Sequence, residues 1–426
     1  MRILVITKYA WDDRISSGNT LTNLFSEWPN AVFYTVYCRS AYPNNECCHD
    51  YFTVSPINLL KNFFTPWKIG RSFSTENPNE DTTNGTDGTG RNTEASITKI
   101  SKKIRILSVF YDLMYSTRLW MNKKLKRFLE NANPEIVFCF GISDAFNLTL
   151  IKHIKRIQKV PVVSYFVDDH YKTGLRAWEI YNRNRNRRLK ELALISDKRY
   201  AITQMMCDAY SEIMQVKFEL LTKGCQVCDV VLKDHKPLRM VYAGNLLFNR
   251  DKTLIDLVKV LKDVNKENGR RLRLDIYSAT PVNEYTKFLL NEEGVSILHP
   301  SKPYSEITTI LKDADIVLHV ESFDREQREV VRYSFSTKIT DCLQSGAMVM
   351  AIGPDDIASI DFMKRVPGAI VVTDMQNLGS VLLSLLQNPQ SILDNARFAN
   401  AFARREMCIE GVRLRLQNDF DSLIKQ

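Results

Sequence analysis

The fold is decided by DIVLHVESFD (residues 315–324), a charged insert, and then SFSTKITDCLQSGAMVMAIGP (residues 334–354). The apolar run 316–320 has the length of a buried strand, and 347–352 is a second one. Between them, Ser336 and Thr337 are residues that cap helices. Lys338 falls in the first turn, Asp341 about one turn further in, and Gly346 where a helix would stop. Glu321 directly follows the first strand. Strand, loop, helix, glycine turn and strand form the repeating unit of a parallel α/β sheet. Such sheets bind ligands beyond the carboxyl ends of their strands. Helix N-termini attract phosphate through free N–H groups and the helix dipole. The stretch predicts a phosphate-bearing ligand, with Lys338 as a cation and Asp341 as an acceptor for hydroxyl groups.

The same alternation extends to both sides. In the C-terminal half, strands are expected at 240–243, 272–277, 295–298 and 369–372. A helical pattern at 252–265 places Leu254, Leu257, Leu261 and Val264 on one face. In the N-terminal half, a strand at 3–7 leads into a polar loop holding Ser16, Ser17, Gly18 and Asn19, then a helix with Leu21, Leu24 and Phe25. Strands follow at 31–37, 135–140, 161–167 and 200–203, with a helix at 145–156. Residues 223–238 lack periodicity and read as a linker. The expected organisation is a Rossmann-like domain at 1–222, a second at 239–400, and a C-terminal helix at 401–426 packing back on the first.

Between the strand at 31–37 and that at 135–140, regularity stops. INLLKNFFTPWKIGRSF (57–73) is apolar and basic, with Phe63, Phe64 and Trp67. Residues 72–98 are polar and Gly/Asn/Thr-rich and read as a flexible insert. One long helix is expected at 97–131, carrying eight basic residues from Lys102 to Arg127. Its basic face is either solvated or meets anionic lipid.

A chain of 426 residues is expected to hold two domains or more. Its formal charge of +9 points to an anionic partner, and nucleic acid, anionic lipid and nucleotide-sugar all fit. The basic residues are dispersed and form no nucleic-acid module, so nucleic acid is not expected. Nine cysteines, odd in number and irregular in spacing, argue for reduced thiols over a disulfide framework. Cys225-x-x-Cys228 and Cys47-Cys48-His49 do not supply four convergent zinc ligands, and no metal site is expected. With no signal-peptide pattern and no run of about 20 apolar residues, a cytoplasmic protein is expected. The strand at 161–167 runs into Asp168, Asp169 and His170. These residues either serve acid/base chemistry and hydroxyl binding or form a capped, solvated turn. The Arg183, Arg185, Arg187, Arg188 run reads as a solvated helix face.

Three passages carry a resemblance: VYAGNLLFNRDKTLIDLVKVL (241–261), LRLDIYSATP (272–281) and SGAMVMAIGP (345–354). Together they resemble the GT-B glycosyltransferases, and the C-terminal half looks like glycosyltransferase family 4. The resemblance implies an α/β fold of two Rossmann-like domains facing across a cleft. It implies a UDP- or GDP-sugar held by the second domain, a glycan or lipid-linked acceptor held by the first, and retention of anomeric configuration. No cofactor beyond that substrate is required. A role in surface polysaccharide synthesis at the inner face of the cell membrane would follow.

Residue by residue, the resemblance places Gly244 at the end of the first C-domain strand and Arg250 on the donor diphosphate. Asn245 stands where many members carry a basic residue. Ser278 ends the next strand beside the nucleotide. Lys338, with the helix start at Ser336 and Thr337, would hold the diphosphate. Glu321 would contact the donor sugar and Asp341 the ribose. The family's spacing of two glutamates is matched literally by Glu321 and Glu329, but counting back from Gly346 selects Asp341, and Glu329 becomes a charge in an insertion. Gly18 matches the glycine-rich loop after the first strand, and Asp169 and His170 lie on the acceptor side. Two rivals remain: a nucleotide-sugar epimerase of the same fold, and a non-catalytic partner subunit.

Overall fold

The β-branched and aromatic runs of the N-terminal half pair into one sheet. The computed structural model describes residues 1–39, 41–76, 102–176, 179–233, 235–269 and 271–426. Strands β1 (Arg2–Thr7), β2 (Val32–Tyr37), β3 (Cys48–Thr53), β4 (Arg71–Ser74), β5 (Ile136–Phe140), β6 (Val162–Phe166), β7 (Lys198–Ala201) and β8 (Glu219–Leu220) run in the order β4-β3-β2-β1-β5-β6-β7-β8. Only β4 is antiparallel to its neighbour. Its helices are α1 (Ser16–Phe25), α2 (Pro56–Lys61), α3 (Lys102–Ser116), α4 (Lys123–Ala132), α5 (Ala145–Gln158), α6 (Ile180–Ile195) and α7 (Gln204–Met214).

The second sheet holds β9 (Leu238–Ala243), β10 (Leu272–Ser278), β11 (Ser296–Pro300), β12 (Ile316–Val320), β13 (Met348–Ile352) and β14 (Ile370–Val372). Its order is β11-β10-β9-β12-β13-β14, parallel throughout. This is the Rossmann order, reversing between β9 and β12. Around it lie α8 (Arg250–Asn268), α9 (Glu284–Leu290), α10 (Tyr304–Asp313), α11 (Arg325–Val331), α12 (Lys338–Gln344), α13 (Ala358–Lys364), α14 (Leu378–Gln387) and α15 (Gln390–Glu406). Every residue of β12 and β13 is buried, as expected for strands covered on both faces. Leu254, Leu257 and Leu261 pack from α8 onto this sheet, and α8 stops at Gly269, whose φ of 75° suits glycine. Each such buried side chain contributes about 1.5–3 kcal/mol.

The chain divides into two units: Met1–Ile202 with Cys207–Leu221 and Arg413–Gln426, and Thr203–Met206 with Thr222–Val412. The last helix, α16 (Ile409–Ile424), gives most of its length to the first unit. There Phe420 meets Trp28 edge-on at 5.4 Å, and Arg413 donates to the Asn23 carbonyl at 2.9 Å.

Several expectations are corrected. Ser16 to Asn19 are not a loop but the start of α1. The strand near residue 200 spans Lys198–Ala201, and not 200–203. Sheet pairing continues past β2 through β3 and β4, so β4 occupies part of the expected polar insert; residues 77–101 lie outside the described residues. The expected helix at 97–131 is two helices. Arg118 takes φ 61°, Trp120 turns into the core, and Asn122 caps α4 by accepting from Lys124 and Leu125 N–H.

Candidate functional site

The second sheet's order reverses between β9 and β12, and the loops after those two strands carry the polar cluster. Gly244 follows β9, and Glu321 follows β12. Arg250 opens α8. Its Nε donates to Glu321 Oε2 at 2.9 Å and its Nη2 to Glu321 Oε1 at 2.8 Å. Nη1 donates to Asn245 Oδ1 at 2.7 Å. Asn245 therefore adds no charge but orients the arginine. Both members of the ion pair are buried, Arg250 6% and Glu321 2% exposed. Attraction repays the desolvation of such a pair only with good geometry, which the two-point contact supplies. Thr253 Oγ1 donates to the Glu321 carbonyl at 3.1 Å, tying the end of β12 to α8.

Lys338, the first residue of α12, lies across Gly244. A Cβ on Gly244 would sit 2.3 Å from Lys338 Cε. The lysine can take that path because residue 244 has no side chain. Its Nζ is 5.8 Å from the centroid of the Tyr242 ring. Burial, and then the Arg250 charge, push the ammonium down from its usual range to about 8. Asp341 accepts from the Tyr304 hydroxyl at 3.0 Å, and burial raises its carboxyl against the pull of Lys223 and Lys338. Ser278 Oγ accepts from Thr280 N–H, and Thr280 Oγ1 accepts from Leu246 N–H at 2.9 Å, so the β10 turn is tied to the loop after Gly244.

Gly244, Asn245, Arg250, Ser278, Glu321, Lys338 and Asp341 thus gather at one end of the second sheet. Ser336 and Thr337 stand at the start of α12, but neither acts as a side-chain cap there. Thr337 is itself helical, and the carbonyls of Ser336 and Thr337 accept from Ile339 and Thr340 N–H. Glu329 is an exposed charge on α11.

His319 is the residue that the sequence reading passed over. It is 1% exposed, and neither ring nitrogen has a hydrogen-bond partner. Its Nε2 is 3.7 Å from Glu321 Oε1. Burial holds it down to about 4, so it is neutral at pH 7. The available signal was a polar residue inside an otherwise apolar strand.

Gly18, Asp169 and His170 belong to the first unit. A Cβ on Gly18 would lie 2.0 Å from the Asp12 carbonyl oxygen, so close helix packing requires glycine there. Asp168 is exposed. Asp169 Oδ1 accepts from Tyr210 hydroxyl at 2.8 Å and from Tyr171 N–H at 3.1 Å, which closes the turn after β6. Burial, followed by the charges of Arg185 and Lys8, pushes His170 down to about 4. That first sheet also reverses its order, between β1 and β5, and a cavity of about 170 Å³ opens there, lined by Lys8, Arg39, Asp144 and Arg185 among others. Among the described residues, no group of His, Cys, Asp and Glu is arranged to hold a metal ion.

No protein-family model and no curated protein sequence matches the chain. Solved structures do match. Anabaena HepE (Alr3699) in complex with UDP is 10% identical, with a TM-score of 0.64 over 99% of this chain and 100% of that one. An E. coli structure described as trehalose-6-phosphate bound with UDP-2-fluoro glucose is 9% identical, with a TM-score of 0.60 over 99% of both chains. The pneumococcal O-GlcNAc transferase GtfA, in complex with UDP and GlcNAc, is 11% identical, with a TM-score of 0.53 over 71% of this chain and 60% of that one. At such identities the likeness is one of fold: two Rossmann-like units, the GT-B architecture.

Proposed function

We propose that this protein is a retaining glycosyltransferase of the family 4 type. It takes a sugar from a nucleotide-sugar held by the second unit and passes it to a glycan or lipid-linked acceptor held by the first. One observation carries this reading: Arg250, Lys338, Glu321 and Asp341 converge at the point where the second sheet reverses its order. Negative charge develops on the leaving diphosphate as the glycosidic bond breaks. Fixed cations in a poorly hydrated site stabilise that charge without reorganising. Lys338 is the group best placed to respond, because a diphosphate would stabilise the ammonium that burial and Arg250 disfavour. Glu321, held by Arg250, would accept hydroxyls of the donor sugar, and Asp341 those of ribose. The fold neighbours bound to UDP or UDP-sugars favour a UDP-sugar over a GDP-sugar.

The proposal extends to surface-polysaccharide assembly at an anionic membrane surface, from the cytoplasmic side. Its support is a pair of outward-facing aromatics, Phe64 at 90% and Trp67 at 64% exposed, within three residues of Lys61 and Lys68 in sequence. No described helix is long and apolar enough to cross a membrane.

A thermal-shift screen with UDP-, GDP- and ADP-sugars tests the donor assignment. A UDP-sugar should raise the melting temperature, and Lys338→Ala and Arg250→Ala should abolish both that rise and transfer. Stabilisation by none of the three sugars would overturn it. UDP release that ignores every acceptor would favour the epimerase. For the membrane reading, co-sedimentation with phosphatidylserine vesicles should fall when Phe64 and Trp67 are both replaced by Glu.

A further inference from the structure

The cavity of the first unit is built as carefully as the donor site, from the equivalent place in its sheet. Lys8 directly follows β1, Arg39 follows β2, and Asp144 lies in the loop after β5. Tyr111 comes from α3, and Tyr181 and Arg185 from α6. About 170 Å³ suits a single sugar residue better than a chain.

The charges do not balance. Asp112 also borders the cavity, but its Oδ2 is taken by Arg188 at 2.7 Å and its Oδ1 accepts from Ala145 N–H at 3.2 Å. Among the described lining residues, that leaves Lys8, Arg39 and Arg185 against Asp144 alone. Arg185 uses Nε on Ser143 Oγ at 2.8 Å, which sets its guanidinium without neutralising it. His170 is neutral and adds no charge. Asp144 is only half engaged as well. Oδ1 accepts from Asn147 N–H at 2.9 Å and caps α5, whereas Oδ2 is sequestered from water without a hydrogen-bond partner. Burial accordingly raises the Asp144 carboxyl, with Lys8 opposing. The tyrosine rings offer faces for the apolar side of a pyranose.

We infer that this cavity takes a sugar acceptor carrying an anionic group, a carboxylate or a phosphate. Arg39 and Arg185 bind the anion by charge-assisted hydrogen bonds, with Lys8 adding charge. The inference rests on the reading of the protein as a glycosyltransferase only for the word acceptor; the anion site stands on the first unit's own residues.

Calorimetric titration of the full chain tests it with methyl glucuronide, glucose 6-phosphate, methyl glucoside and inorganic phosphate, and with UDP as an independent control. An anionic sugar should bind at least tenfold tighter than methyl glucoside. Whether the carboxylate or the phosphate sugar wins identifies the group. Arg39→Gln and Arg185→Gln should each remove that advantage while the UDP affinity stays unchanged, and Arg39→Lys should keep part of it. Equal binding of neutral and anionic sugars would overturn the inference, as would anion binding that survives Arg39→Gln. Inorganic phosphate binding as tightly as either anionic sugar would also overturn it, since the sugar would then contribute nothing. If UDP fails to bind while the anionic sugar binds through Arg39, the donor reading falls and this one stands. If UDP binds and no anionic sugar does, the reverse holds.

Discussion

The two sheets reverse their strand order at corresponding points, β1/β5 in the first and β9/β12 in the second, yet the chain fills these points in opposite ways. In the second unit the charges are buried and one pair satisfies itself: Arg250 grips Glu321, while Lys338 lies along Gly244. In the first unit the cations border an open cavity, and a carboxylate oxygen of Asp144 has no partner. A preassembled cluster is suited to charge that appears only during reaction, because no reorganisation is then needed. A cavity with unmatched charge is suited to a ligand that arrives already charged. The difference argues for a donor site set rigidly by its own ion pair and a second site completed by what it binds.

The largest effect should come from breaking the buried pair. Arg250→Ala leaves the Glu321 carboxylate buried beside a neutral His319 and should destabilise the protein by about 3–5 kcal/mol, read by urea denaturation, with loss of transfer. Replacing both residues by Met should recover most of that stability but no activity. If Arg250→Ala unfolds no more easily than the native chain, the cluster is not preassembled and the contrast collapses.

Next is Lys338. Its ammonium is held down to about 8, so below that pH the folded state carries a proton it disfavours. The unfolded lysine titrates near its ordinary value, and between those two values the unfolded chain binds more protons. This group's contribution to stability therefore rises with pH across that window. Lys338→Met should leave the free protein as stable as before, or more so, at pH 7. It should cost the UDP-sugar about ten- to a hundredfold in affinity, the worth of a charged hydrogen bond at about 1.5–3 kcal/mol. In the native chain, donor affinity should be flat below pH 8 and fall above it as the free lysine loses its proton. Calorimetric titration across pH 6–10 checks this, and a flat profile would remove Lys338 from the diphosphate.

The sequence made the second unit more legible than the first. Its strands are continuous apolar runs, and the polar residues proposed to bind the ligand stand next to strand ends, where position itself is the signal. Glu321 was read from the strand it follows, and Asp341 by counting back from Gly346. The interior of the cluster was not legible. That Asn245 would orient Arg250, or that His319 would sit orphaned against Glu321, depends on which side chains of separate βα units meet. In the first unit, Asp169 and His170 drew attention as a charged run, but Asp169 closes a turn with Tyr210. The cavity residues Lys8, Arg39 and Asp144 are single polar residues after three different strands, and only sheet order brings them together. The expected helix at 97–131 failed because periodicity does not register the inward turn of Trp120.

Two glycines give the finest test of the contrast. In both units a glycine lies against something a Cβ would strike, but what it strikes differs. Gly18 faces the backbone of Asp12, which cannot move without shifting the loop after β1; Gly244 faces the flexible end of Lys338. Gly18→Ala should therefore destabilise by about 1–3 kcal/mol, as overpacking does, visible as a lower melting temperature. Gly244→Ala should keep the fold within about 0.5 kcal/mol, because the lysine swings away. The same swing takes the ammonium off its place, so UDP-sugar affinity should fall several-fold in Gly244→Ala while the melting temperature barely moves. Should Gly244→Ala melt early and bind UDP-sugar normally, the glycine serves packing, as Gly18 does, and Lys338 does not owe its position to it.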